Sequence, residues 1–307
     1  MAESIDESSC ILCGRPSAPP RETFSVDELT EDWRRSFAVD VRPEFANITM
    51  VSLYHCSFCD LDFFIPAVTG SSEFYGELAK FPWYYMSDKW EFSMAEKDVP
   101  HRASLVEFGC GKGDFLKRVR SRKKADVLGV ELGTPVVPES GERDIPMMRA
   151  GEGLTRRIRG VFPKGVDVVC AFQFLEHAAN PRAFIEDVLS VLRPGGRLLI
   201  SVPNDAGFLK DIRPTLHTPP HHVTRWSPRT LEAVAEQFAL TLDHLAYEPL
   251  ARYHRELWLA AYVARARSLG VSPLEQKFRM TMLSFFLKSH LIRRWIRGHT
   301  IYARYTV

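Results

Sequence analysis

The sequence predicts an α/β protein. It reads as a doubly wound, seven-stranded, mostly parallel sheet with a small metal-binding module in front and a helical insertion before the last strand. Three observations carry that prediction. From Ala103 onward, short apolar segments alternate with helical ones, as in parallel strands covered on both faces. A glycine-rich turn follows the first of these segments directly, and two Cys-x-x-Cys pairs stand within the first 66 residues. The 307 residues suffice for one large domain or two smaller ones. With 45% hydrophobic and 25% charged residues the chain reads as globular, and a net charge of +2 exerts no general pull on nucleic acid or membrane.

The first unit spans residues 1–66. Its start, "MAESIDESSC", is acidic and polar and unlike a secretory signal. No apolar run is long enough to span a bilayer, so a cytoplasmic location is expected. Disulfides are then the disfavoured use of the cysteine pairs. "CILCG" and "HCSFC" each place two thiols on one tight turn, and Cys10, Cys13, Cys56 and Cys59 together supply the four sulfurs of a structural zinc site. His55 is a weaker competitor as a ligand. Between the pairs, Ser25 with Glu28 three residues later predicts a capped helix over "SVDELTEDWRRSF", and "ITMVSLY" predicts a strand. Residues 67–100, rich in aromatic side chains, predict a helical connector that packs over the next domain as a lid.

The remainder, 101–307, predicts the large domain. "ASLVEF", "DVLGVEL", "IPMMRA", "VDVVCAF" and "GRLLISVP" are its first five strands. "LTLDHLAYEP" and the closing "GHTIYARYTV" complete seven. Residues 252–297 hold ten Lys/Arg against two Glu, with apolar residues at helical spacing, and are the insertion. They predict a solvated basic face that covers the pocket or forms a homodimer contact; a membrane-surface element is the alternative.

Ligands in such sheets bind at the carboxyl ends of the strands. "VEFGCGKGDF" puts Gly109, Gly111 and Gly113 there, where glycine lets the backbone turn sharply and approach a ligand. Asp114 stands where a dinucleotide fingerprint needs glycine, and no phosphate-binding GxxxxGK[ST] loop is present. Glu131 ends the second strand, in the place of a ribose-binding acid.

These motifs, with "FQFLEHAANP…LRPGGRLLISVPN", resemble those of the class I S-adenosylmethionine-dependent methyltransferases, which have a Rossmann-like sheet. The resemblance covers residues 80–250 and the last strand. It implies that the 109–113 loop, with Glu107 and Cys110, holds the methionine moiety of S-adenosylmethionine, and that Glu131 and Leu132 hold the ribose. It further implies Glu152 of "AGEG" near the adenine, Phe172, Gln173 and His177 around the sulfonium, and Lys89 as anchor for the methionine carboxylate. The Leu-Glu-His turn resembles that of enzymes acting on oxygen or carbon of small molecules. Enzymes that methylate exocyclic amines often carry an Asn/Asp-Pro-Pro-aromatic turn at this position. The cysteine module resembles that of sugar C-methyltransferases, so a sugar, glycan precursor or natural-product intermediate is the expected acceptor.

"TPPHHVTRWS", residues 218–227, follows the fifth strand and so lies at the carboxyl edge. His222, Trp226 and Ser227 match the loop in which those relatives carry a histidine and an aromatic-serine pair, which makes His222 the candidate general base. His177 competes for that role, and His221 is the neighbour expected to point elsewhere. A metal on these histidines is set aside, because the cysteines already form a complete ligand set. A nucleic-acid-binding or RNA-methylating protein is the alternative of a different class. It is disfavoured because "SVDELTED" is acidic and no basic stripe accompanies the cysteines.

Overall fold

The computed structural model describes residues 9–131 and 145–307, and these form eleven strands and ten helices. The strands are β1 (Glu22–Ser25), β2 (Met50–His55), β3 (Asp62–Ile65), β4 (Ser104–Phe108), β5 (Asp126–Glu131), β6 (Met147–Arg149), β7 (Val166–Phe172), β8 (Leu192–Pro203), β9 (Thr224–Arg225), β10 (Thr241–Pro249) and β11 (Arg297–Thr306). The helices are α1 (Val26–Phe37), α2 (Ser72–Leu78), α3 (Trp90–Asp98), α4 (Asp114–Lys123), α5 (Leu154–Val161), α6 (Pro181–Val191), α7 (Pro228–Gln237), α8 (Arg255–Ser268), α9 (Pro273–Phe286) and α10 (His290–Arg293). Leu132, the ribose candidate next to Glu131, lies outside the described residues.

The seven-stranded sheet has the order β10-β11-β8-β7-β4-β5-β6. Strands β4 to β8 run parallel, and β11 is antiparallel to both of its neighbours. Chain order reverses between β4 and β7, which sets a ligand crevice at their carboxyl ends. Helices cover both faces, so the central strands have no polar side: in β8, Leu198, Leu199, Ile200 and Val202 are all buried. β8 starts earlier than the "GRLLISVP" segment suggests.

A second sheet, β1-β2-β3-β9, carries the cysteine turns. Its helix α1 begins with the expected capping box, Ser25 accepting from the Glu28 N–H and Glu28 accepting from the Ser25 N–H. Its fourth strand, β9, comes from just after the histidine pair, pairing Phe63 with Thr224. Residues 9–66 are therefore interlocked with the large sheet. Cys10, Leu12, Cys56, Cys59 and Leu61 share one core cluster with β7, β8 and β11. In 67–100, helix is confined to α2 and α3, with an aromatic turn between them. The 252–297 segment is helical as expected, and it rests through Leu259 and Leu287 on Phe208 and Leu209, beyond the end of β8.

Candidate functional site

The half of the crevice expected to take the donor, at the turn after β4, is made largely of backbone. Gly109, Gly111 and Gly113 all hold positive φ, at +70°, +52° and +72°. A Cβ on Gly109 would stand 2.7 Å from the Phe174 ring, and one on Gly111 would stand 3.5 Å from Tyr85. The Gly109 N–H donates to the Val130 carbonyl at 2.8 Å, which ties the loop to β5. Glu131, at the end of β5, accepts from the Gly111 N–H at 2.9 Å, so the ribose candidate faces the glycine turn. Gly153, just beyond Glu152, has φ +68° and opens α5; Glu152 itself is exposed at the rim.

Behind the loop lies a set of buried carboxyls. Glu107 is buried and its Oε2 has no hydrogen-bond partner among the described residues. Burial drives its pKa well above the usual carboxylate range, against the opposing pull of Lys89. Burial likewise raises Glu91, which Lys89 and hydrogen bonds from Ser201 and Gln173 partly offset. Glu176 is pushed up to about 8, again by burial, with Lys89 opposing. Lys89 thus stands amid these carboxyls rather than on open surface, with Nζ 5.9 Å over the Phe92 ring. Gln173 adopts a left-handed φ of +50° and donates its N–H to the Ser201 carbonyl. Phe172 turns its ring into the core between Phe92 and Phe115, so its sulfonium-facing role falls to backbone at most.

The other half, expected to face the acceptor, is built from imidazoles. His177, His221 and His222 converge, with ring centroids 4.3 to 4.8 Å apart. His217 packs 4.7 Å from His222, and His299 and His254 continue the row. Burial keeps all six neutral: His177 falls to about 4 and His299 to about 3, and His217, His221 and His222 lie well below 6.5. His177 Nδ1 is 2.6 Å from the His221 carbonyl and 3.2 Å from the Tyr75 hydroxyl. Contrary to expectation, His221 does not point away; it is held at both nitrogens, Nδ1 by the Leu216 carbonyl and Nε2 by the Tyr84 hydroxyl. His222 differs: its buried Nδ1 has no partner among the described residues. By spacing, these three imidazoles could approach one cation, but the double hydrogen bonding of His221 argues against it.

Both neighbouring elements position the pair. The Trp33 indole donates to the Pro219 carbonyl at 3.1 Å, Ser36 meets Thr215 at 2.9 Å, and Arg225 donates to the His217 carbonyl. Trp226 is fully buried, and Ser227 caps α7 with Pro228 in its first turn, both as the sequence suggests.

The four paired cysteines lie with their sulfurs within 4.8 Å of one another. Cys10 Sγ is 3.5 Å from Cys59 Sγ, and Cys13 Sγ is 3.4 Å from Cys56 Sγ. A zinc–sulfur bond of about 2.3 Å gives tetrahedral edges of about 3.8 Å, so the donor set fits zinc with small adjustment. The bond from Cys59 lowers Cys10 to about 5, and burial pushes Cys13 up to about 11. His55 is engaged by Asp62 at 2.7 Å, which removes it as a competing ligand. Cys110 is buried with its sulfur toward β5, leaving only its backbone to the loop.

Sequence reasoning missed Tyr75, Tyr84, Glu91, Glu176, His217 and His299. Of these, Glu176 and His217 sit beside motif residues, so proximity in sequence was the available signal. His299 opens the last strand at the carboxyl edge.

A methyltransferase domain model matches residues 83–245. The Ubiquinone biosynthesis O-methyltransferase of Cupriavidus pinatubonensis is 32% identical over 107 residues, 33% of this chain and 41% of that protein. A probable S-adenosylmethionine-dependent methyltransferase of Mycolicibacterium smegmatis is 31% identical over 116 residues, 36% of this chain and 43% of that protein. The chain thus spans less than half the length of these curated relatives. A SAM dependent methyltransferase structure from Archaeoglobus fulgidus aligns over 76% of this chain and all of that one, at 15% identity and a TM-score of 0.49.

Proposed function

We propose, because this chain belongs to the class I S-adenosylmethionine-dependent methyltransferases, that it methylates an oxygen or carbon of a small molecule with His222 as general base. The observation that carries this reading is the unpartnered, buried Nδ1 of His222, a neutral imidazole at the carboxyl edge beside the donor half. S-adenosylmethionine, when bound, supplies a methyl group on a positively charged sulfur. The 109–113 loop and Glu131 would hold its amino acid and ribose, with Lys89, Glu107, Gln173 and His177 completing the pocket. His222 Nδ1 would take the acceptor proton as the new methyl–oxygen or methyl–carbon bond forms. Holding the acceptor in line with the departing sulfur supplies much of the acceleration; the hydrogen bonds on His221 and His177 would fix that geometry.

The ubiquinone O-methyltransferase relatives favour oxygen as the acceptor atom. Incubating the protein with isotope-labelled donor and a metabolite extract tests the assignment. Label should appear in a small molecule; label only in RNA or protein would reject the acceptor class.

Zinc on Cys10, Cys13, Cys56 and Cys59 would act as a brace. Those turns bond to α6 and α7 through Arg182 and Gln237, which both donate to the Leu12 carbonyl. The same unit holds the histidine loop through Trp33 and β9. Cys56→Ser should lower the zinc content measured by atomic absorption from one equivalent to near none, and lower the melting temperature by several degrees. A metal-free, equally stable wild-type protein would remove the brace.

A further inference from the structure

The α8–α10 insertion carries an apolar surface that the fold leaves uncovered. Along α9, Leu274, Phe278, Met282 and Phe285 recur at the spacing of one helix face. They are 81%, 68%, 43% and 67% exposed. The opposite face does the ordinary work of packing: Gln276 and Leu287 are buried, and Leu283 joins the cluster around Phe208 and Leu259. This helix is therefore covered on the side of Gln276 and Leu283 and open on the side of Leu274, Phe278, Met282 and Phe285. Leu291 and Trp295, 65% and 79% exposed, extend the open area. So many exposed large apolar side chains on one short insertion mark a contact surface.

Its charge says what would cover it. Helical geometry places Lys277 and Lys288 along one flank of the stripe, while the other flank holds the Glu275–Arg279 ion pair. Arg294 lies 5.1 Å over the Trp295 ring. Glu275, one of only two acidic residues in 252–297, is neutralised by Arg279. An apolar stripe with a tryptophan, bordered by basic side chains, matches the interface of an anionic bilayer: apolar groups among acyl chains, cations at the headgroups. A second copy fits less well, because two-fold pairing would set the lysine flanks against like charges. We infer that the α9 face, with Leu291 and Trp295, docks the protein on anionic phospholipid membranes.

Docking there would set the acceptor half next to the lipid, since the insertion rests on the turn at Phe208 and Leu209 that leads into the histidine loop. The inference does not depend on which atom is methylated.

Co-sedimentation with vesicles tests it, comparing phosphatidylcholine alone with phosphatidylcholine containing about one third phosphatidylglycerol. The wild-type chain should pellet with the anionic vesicles and not with the neutral ones, and high salt should weaken the binding. The double variant Phe278→Asp/Phe285→Asp should lose roughly tenfold or more of the bound fraction, while its melting temperature and donor affinity stay at wild-type values. Lys277→Glu/Lys288→Glu should act in the same direction without touching apolar surface. Absence of wild-type binding to anionic vesicles overturns the inference. So does a wild-type dimer, measured by light scattering, that the Phe278→Asp/Phe285→Asp variant converts to a monomer, because the face would then belong to a second copy.

Discussion

The two halves of the crevice are built from different materials. The donor half uses backbone: three glycines at positive φ, with a carboxylate from β5 accepting one of their N–H groups. The acceptor half uses side chains, six largely buried imidazoles gathered from four stretches of chain. A site built on left-handed glycines is strained by an added Cβ, most of all at Gly109 against Phe174. A site of imidazoles tolerates shape changes better, but its chemistry follows the protonation state that burial imposes.

The largest separation of the two should come from Gly109→Arg. A side chain there meets Phe174 at once and strains a left-handed backbone, so donor binding measured by calorimetry should fall about a hundredfold or more. Donor binding within a few fold of wild type would mean the loop is not the donor site. Glu131→Ala removes the acceptor of the Gly111 N–H and the proposed ribose partner, and should weaken donor binding by about 2 kcal/mol, roughly thirtyfold. Its effect on the acceptor KM should be small; a larger effect there would blur the division into halves.

The smallest expected effect is on the acid side of the pH profile, where the buried imidazoles titrate. A base works when unprotonated. Burial lowers the imidazole pKa values, so inactivating protonation moves to lower pH: His177 to about 4 and His222 well below 6.5. The acid limb of kcat should therefore lie well below the ordinary imidazole value. A limb centred on the ordinary imidazole value of about 6.5 would indicate a solvated base.

The difference in materials also decides what the sequence could disclose. The turn at Gly109, Gly111 and Gly113 and the place of Glu131 were legible because each is written locally, at the ends of β4 and β5. The cysteine turns were legible for the same reason. The imidazole cluster was not, since His177, His217, His222, His254 and His299 meet only after β8, β11 and the insertion come together. The loop containing His221 and His222 was singled out, but which nitrogens stay free depends on Tyr84 and Leu216, 137 and 5 residues from His221. The pairing of β9 with β3 rests on two residues and has no pattern of its own. The insertion was read as helical correctly. Its apolar periodicity pointed to the wrong face, because the apolar stripe of α9 lies open while Gln276 and Leu283 are on the covered side.

The assignment of His222 as base is tested most directly by single-turnover transfer from labelled donor in His222→Ala. Donor affinity should remain within about twofold of wild type, and the transfer rate should fall about 10²- to 10⁴-fold. A transfer rate equal to wild type with donor and acceptor both bound would contradict it.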